Sequence, residues 1–361
     1  MLDIRTKTMF GTTHSWAVTM RSLCGEFSNL GHNLYIESTN GNSFVPEELL
    51  LGPSHCESPD IDICYTLPRN FPSRFKEASK LKLAIYNYES SILPESWLDK
   101  AGCVDYILPS SNFSKNIFVE NGWPEDKCIV IPHGVNRDLF SKQTPGSSLK
   151  TNKSFKFLNI SIPHYRKNIF TLVDSYYSAF TDKDDVCLVI KTSLRKPNSN
   201  HPFECDVVKE ILKAQKIHSK RSLPQIEIVE KKYDDISCLY NDCNALVSAS
   251  SSEGFGLPLL EALAAKMIVI APNCSGQTDF LNKKNSLQVD VYRGVATDKY
   301  QYWSASSGAT TFFPNKDSLS SQMINAHSNY SALLKKFDSE IERTLGVFTW
   351  GNAAGKILEL I

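Results

Sequence analysis

Several absences narrow the chemistry open to this chain. Its 10 cysteines include no Cys-x-x-Cys pair and no nearby Cys/His array, so neither a zinc site nor a disulfide framework is expected, and a reducing compartment fits best. No apolar run approaches the ~20 residues needed to span a bilayer. The opening Met1-Leu-Asp-Ile-Arg-Thr-Lys7 lacks a hydrophobic signal core, which makes a soluble, cytoplasmic protein the expectation. The sequons Asn112-Phe-Ser114 and Asn329-Tyr-Ser331 are accordingly read as chance. There is no excess of either charge, with 39 Lys+Arg against 39 Asp+Glu, and this argues against a general nucleic-acid binder. No strand-like segment is followed by Gly-x-Gly-x-x-Gly, so an NAD-dependent dehydrogenase is set aside. Internal repeats and low-complexity tracts are also missing.

What is present is length and alternation. A chain of 361 residues exceeds what one core organises, and a hydrophobic content of 42% supplies two. Strand-like and helix-like segments alternate, which predicts an α/β chain with parallel sheets. Leu34–Ile36, Ile61–Leu67, Leu83–Tyr86, Tyr106–Leu108 and Cys128–Ile131 read as one sheet. Its opening helix takes Ser15 as N-cap, with Trp16, Met20, Leu23, Phe27 and Leu30 on one core-facing stripe and Gly31 at the stop. The polar stretch Lys142–Lys153 reads as a linker. Beyond it, Phe157–Ser161, Cys187–Lys191, Ile226–Val229, Ala245–Ser248 and Ile268–Ala271 read as a second sheet. The expected domains are 1–145 and 146–345, with a closing helix over 346–361.

The most telling segment is Ser250-Ser-Ser-Glu253-Gly254-Phe255-Gly256-Leu257-Pro258-Leu-Leu-Glu261. A short strand precedes it, the glycines make a turn, and Pro258 suits the first turn of a helix, where a missing N–H costs nothing. The backbone N–H groups of Phe255, Gly256 and Leu257 then face an anion such as a pyrophosphate. Glu253 lies just before the helix and Glu261 one turn inside it, two carboxylates able to accept hydrogen bonds from the hydroxyls of sugar or ribose. Met267–Pro272 supplies the next parallel strand, putting the turn at the edge where such sheets bind ligands.

A second element is Pro163-His-Tyr-Arg166-Lys167-Asn168, where cations gather between a strand and the helix Ile169–Phe180. Lys167 is the principal candidate for neutralising a diphosphate. Arg166 beside it and Lys191, at the end of Cys187–Lys191, read equally as ligand contacts or surface charges.

The string Glu-Gly-Phe-Gly-Leu-Pro-Leu-Leu-Glu-Ala beginning at Glu253 resembles the signature of the retaining glycosyltransferases of family 4. Val130-Ile-Pro-His133-Gly-Val135, Ser275-Gly276-Gln-Thr-Asp279-Phe280 and Phe348-Thr-Trp350-Gly-Asn-Ala-Ala-Gly-Lys356 extend the likeness along much of the chain. The resemblance implies the GT-B architecture, two Rossmann-like domains with parallel sheets facing an interdomain cleft, a hinge near the linker, and a closing helix that returns toward the first domain. It implies transfer of a hexose from a nucleotide diphosphate sugar to a hydroxyl of a glycan, lipid-linked or small-molecule acceptor, with retention and without metal or cofactor. The donor preference leans to GDP-mannose. Glu253 would hold hydroxyls of the transferred sugar, Glu261 those of the ribose, and Lys167 the donor pyrophosphate. Ser161-Ile162-Pro163 departs from the family, many of whose members carry a glycine and an arginine there, so phosphate clamping differs in detail.

The first domain is the acceptor side. Gly11-Thr-Thr-His14 occupies the loop where relatives place paired glycines, and Gly11 is the one that remains. His14 reads as a base, an acceptor contact or a loop histidine. Glu89 reads as an acceptor contact, a proton acceptor or a helix cap. His133 reads as an acceptor-side group or as part of a turn that serves backbone geometry. The base-recognition region falls around Glu230–Asp235 and Leu239-Tyr240. Asp60-Ile-Asp62 is taken as start-of-strand polarity rather than a metal-binding Asp-x-Asp. Arg69, Arg74, Lys76, Lys80 and Lys82 near Phe71 and Phe75 read as a solvated helix face, with peripheral membrane contact as the other reading. A non-catalytic nucleotide-sugar-binding or scaffold subunit with the same fold is the competing function, kept open by the altered Gly11 loop.

Overall fold

The computed structural model describes residues 1–11, 14–50, 55–141, 146, 149–194, 204–233, 235–297 and 308–361. Parts of three expected features lie outside the described residues: 142–145 and 147–148 of the linker, Thr12 and Thr13 of the Gly11–His14 loop, and Asp234 of the base-recognition segment. The chain divides into two compact units, one of 1–88, 92–135 and 347–361, the other of 89–91 and 136–346. Among the described residues no helix is long and apolar enough to cross a membrane.

The first unit contains β1 (Asp3–Thr8), α1 (Ser15–Asn29), β2 (Asn33–Ser38), β3 (Ile61–Tyr65), α2 (Phe71–Arg74), β4 (Leu81–Ile85), α3 (Glu95–Leu98), β5 (Tyr106–Leu108) and α4 (Asn112–Glu120). Its five strands are all parallel in the order β2-β1-β3-β4-β5. β1, which its polar residues do not mark in the sequence, lies inside the sheet. The reason is a charge pair: Arg5 donates from Nη1 to both oxygens of Asp62 at 2.9 and 2.7 Å and from Nε to Glu37 at 2.8 Å. Asp62 is therefore not start-of-strand polarity. It lies within β3, fully buried, and also accepts from the Lys76 N–H and the Ser79 hydroxyl.

Three further expectations are corrected in this unit. Cys128–Ile131 forms no strand and meets β5 only by the Ile107–Cys128 bridge and the Ile129 and Ile131 N–H groups. Pro109 follows β5 and Pro132 follows the segment, and neither can donate to a ladder. The N-cap of α1 is His14, whose Nδ1 accepts from the Trp16 N–H at 3.3 Å, rather than Ser15, and Leu30 leaves the stripe at 56% exposure. The basic residues from Arg69 to Lys82 share no helix face, because α2 has only 4 residues and Lys82 lies in β4. Lys80 instead pairs with Asp60 at 2.7 Å, and Lys76 donates to the Cys56 carbonyl. At the unit's end, α12 (Trp350–Leu358) packs on α1. A Cβ on Gly134 would stand 2.1 Å from the Trp350 nitrogen, so that close approach requires glycine.

The second unit contains α5 (Arg137–Ser141), β6 (Phe155–Ile160), α6 (Ile169–Ala179), β7 (Val186–Lys191), α7 (Val207–Ile217), β8 (Gln225–Val229), α8 (Ser237–Asn241), β9 (Ala245–Val247), α9 (Leu257–Ala264), β10 (Ile268–Pro272), β11 (Leu287–Val289), β12 (Val291–Val295), β13 (Thr310–Pro314), α10 (Lys316–Ser328) and α11 (Tyr330–Val347). Six parallel strands follow the order β11-β10-β9-β6-β7-β8. β7, β9 and β10 are almost wholly buried, as continuous apolar runs in parallel sheets are. β11 and the antiparallel β12–β13 pair add to the strands expected from the sequence.

Candidate functional site

Three loops at the carboxyl ends of neighbouring strands are stitched together in the second unit. After β6, the His164 Nδ1 accepts from the Arg166 N–H at 3.0 Å, and Asn168 takes a left-handed conformation (φ 50°, ψ 47°) just before α6. Asn168 donates to the Ala249 carbonyl at 3.0 Å and the Ser251 hydroxyl at 2.6 Å, and the Ser251 N–H donates back to Arg166 at 2.8 Å. The loop after β9 is thereby bound to the loop after β6. The loop after β10 closes on the same turn: the Ser275 hydroxyl accepts from the Glu253 N–H, and the Gly276 N–H donates to the Glu253 carbonyl, both at 2.9 Å. A Cβ on Gly276 would fall 2.2 Å from the Gly254 oxygen, so only glycine permits this contact. Gly256, at φ 93°, turns the chain into α9, which Leu257 opens, while the ring of Phe255 packs on Phe280 at 5.0 Å.

These loops gather two cations and two carboxylates. Lys167 Nζ lies 2.5 Å from Glu253 Oε1, and Arg166 Nη1 lies 3.1 Å from Glu253 Oε2. Arg166 Nη1 also donates to the Ser252 carbonyl, and its Nη2 lies 3.4 Å from Glu89 Oε1. Glu89, whose short segment belongs to this unit, accepts from the Gly254 N–H as well. The four side chains are between 7% and 20% exposed. Desolvation on that scale is tolerable only with such pairing.

The carboxyls respond differently. Burial would push the Glu253 carboxyl up, yet Lys167 and then Arg166 outweigh it and hold the group at about 2. At Glu89 burial prevails, Glu253 adds to it, and the carboxyl sits above its ordinary value despite Arg166. Burial lowers the Lys167 ammonium against the pull of Glu253. The result is a fixed anion, paired with two cations, beside a carboxyl better able to take a proton.

Glu261 is held separately, in the second turn of α9. Its Oε2 accepts from the Tyr240 hydroxyl at 2.5 Å, and burial raises its carboxyl to about 7. Lys191 ends β7, paired in register with Ile160 and Val229; burial lowers its ammonium while Glu230 works the other way. Gly11, His14 and His133 belong to the first unit. Gly11 has φ 152°, and a Cβ there would meet Ala17 at an ordinary contact distance of 3.8 Å. His14 uses Nδ1 to cap α1, so in its neutral form the proton resides on Nε2. His133 is buried between Tyr65 and Trp350, ring centroids 6.0 and 5.8 Å away, and burial drives it down to about 3.

Sequence reasoning gave no supporting role to Asn168, Ser251, Ser275 and Gly276, and placed Tyr240 in the base-recognition segment rather than on Glu261. An asparagine or glycine at a strand–helix junction is a signal for the first and fourth. Nothing local marks the others.

Two doubly wound parallel sheets of this kind, with the charged turn opening a helix at the strand ends, define a GT-B glycosyltransferase fold. The family model of the glycosyl transferases group 1 matches residues 145–328, and the chain belongs to that family. An uncharacterized glycosyltransferase of Methanocaldococcus jannaschii is 25% identical over 285 residues, 74% of this chain and 70% of its own. A probable sucrose-phosphate synthase of Thermosipho melanesiensis is 25% identical over 181 residues, 47% of this chain and 38% of its own. This chain therefore spans well under half of that second relative. The crystal structure of Anabaena HepE in complex with UDP and glucose superposes with a TM-score of 0.74 at 11% identity, covering 100% of this chain and 99% of that one, and shares its fold.

Proposed function

We propose that this chain transfers a hexose from a nucleotide diphosphate sugar to an acceptor hydroxyl with retention at the anomeric carbon. The observation that carries the reading is the Glu89–Arg166–Glu253–Lys167 cluster at the turn into α9. In the proposed reaction the bond from the anomeric carbon to the diphosphate oxygen breaks and a bond to the acceptor oxygen forms. Negative charge grows on the departing diphosphate, where Lys167 and Arg166 stabilise it more in the transition state than in the ground state. Glu253 holds sugar hydroxyls, and Glu89, its carboxyl raised by burial, takes the proton of the acceptor hydroxyl. Glu261 accepts from the ribose; Gly254, Phe255, Gly256 and Leu257 line the phosphate turn. Gly11, His14 and His133 belong to the acceptor side. No metal is invoked, since two cations already perform the charge neutralisation.

The solved relative bound to UDP and glucose supports a UDP-hexose as the first donor to try, with GDP-mannose the second. The test is thermal melting of the wild type and Glu261→Ala with UDP, GDP, ADP, dTDP and their hexose conjugates, because a ligand of the native state raises Tm. One nucleotide family should raise Tm in the wild type and much less in the variant, and product from a retaining transfer should show an unchanged anomeric configuration by NMR. A folded protein that responds to no nucleotide would overturn the reading in favour of a non-catalytic scaffold.

A further inference from the structure

Tyr240 lies in the short helix α8 and is fully buried, its ring edge-on to Phe140 at 5.1 Å and 81°. Its hydroxyl donates to Glu261 Oε2 at 2.5 Å. Burial first, and Glu261 second, push the phenol well above its ordinary value, so it stays protonated and remains a donor. Among the described residues it is the single side-chain partner of Glu261. The other neighbours on α9 are apolar: Leu257, Leu259, Leu260, Ala262 and Leu263 are all buried.

A glutamate has three side-chain rotors, and ordering them on binding costs free energy. A donor fixed on one carboxylate oxygen removes most of that freedom beforehand and sets the direction of the other. A ribose presents two vicinal hydroxyl donors, and an oriented carboxylate accepts from both only if its plane is already set. The phenol also favours the charged carboxylate in surroundings that otherwise disfavour it.

We infer that Tyr240 is a positioning residue for nucleotide recognition: it pins Glu261 through Oε2 so that Oε1 is presented to the 2′- and 3′-hydroxyls of a ribose, and so sets a preference for ribonucleotides over 2′-deoxyribonucleotides. The inference rests on the ribose role of Glu261 in the proposed function. It adds a residue on a different helix and a measurable specificity.

The test is calorimetric titration of UDP and 2′-deoxy-UDP, and of GDP and 2′-deoxy-GDP, into the wild type, Tyr240→Phe, Glu261→Gln and the double variant, each first shown to be folded by its melting curve. The wild type should favour the ribonucleotide by ~10-fold or more, as a site built to bond a hydroxyl does. Tyr240→Phe should weaken the ribonucleotide by ~10-fold and the deoxynucleotide, which keeps only the 3′-hydroxyl, by less, since the hydrogen bond that orients the carboxylate is lost. A merely structural phenol would weaken both equally, and an unchanged ribo-to-deoxy ratio in Tyr240→Phe overturns the inference. The double variant should bind no worse than Glu261→Gln; additive losses also overturn it. If the wild type does not distinguish the sugars and Glu261→Gln binds as the wild type does, the ribose role of Glu261 itself fails, a result separable from failure of Tyr240 alone.

Discussion

The carboxyl ends of the two parallel sheets are furnished in opposite ways. In the second unit they carry charge: Arg166, Lys167, Glu253 and Glu89 within salt-bridge distance, and Glu261 on a buried phenol. In the first they carry rings. Trp16 stacks on Tyr65 at 4.9 Å and 15°, Tyr86 meets Trp16 and Trp97 edge-on at 5.6 and 5.4 Å, and His133 closes on Tyr65. Buried charge demands a defined partner for every atom, whereas rings gain by area and tolerate several arrangements. The second end is therefore the one suited to an anion of fixed shape, and the more sensitive to small changes.

The largest expected effect breaks that end. Lys167→Ala should lower the rate of sugar transfer by roughly 10²–10³-fold, the usual loss for one transition-state charge contact, while far-UV circular dichroism stays that of the wild type. Equal rates in steady-state assays would remove Lys167 from the chemistry. In the first unit the comparable substitution is structural: Asp62→Asn takes from the buried Arg5 its buried carboxylate partner, leaving the more exposed Glu37, and should cost ~3 kcal/mol in chemical denaturation. The nucleotide-induced rise in Tm should survive it.

Acidity separates the two glutamates next. Glu253, held at about 2 against an ordinary 4.5, contributes stability above pH 4.5 that is lost as the pH falls toward 2. Glu261, raised to about 7, has the reverse sign: stability declines as the pH rises from 4.5 to 7, where the unfolded chain ionises first. Melting curves across pH 4 to 8 should show that decline in the wild type and a flatter profile in Glu261→Gln; parallel profiles would refute the assignment. The smallest effect belongs to the first unit, where His14→Ala removes the N-cap of α1 and should cost about 1 kcal/mol by denaturant titration.

Much of the frame was legible in the chain. Apolar runs marked Cys187–Lys191 and Ile268–Ala271, which fall within β7 and β10, because buried parallel strands are apolar on both faces. β1 was not, because Arg5 and Lys7 read as surface until Asp62 and Glu37 are seen beside them. Glu253, Lys167 and Arg166 were each marked by local strings, and the structure brings them together. The bond from Tyr240 to Glu261 was not legible, as neither residue implies the other at such a separation.

By itself the sequence determined what depends on neighbouring residues: alternating α and β segments, the glycine turn before α9, and the cations between β6 and α6. Periodicity and turn chemistry act over a few positions and need no fold to express them. Tertiary structure alone decided the partners: Arg166 with Glu89, Tyr240 with Glu261, Arg5 with Asp62, and Gly276 against Gly254. Those pairings follow from strand order and register, which bring distant segments to one sheet edge, and a buried charge or close backbone contact acquires its meaning only once that edge is formed.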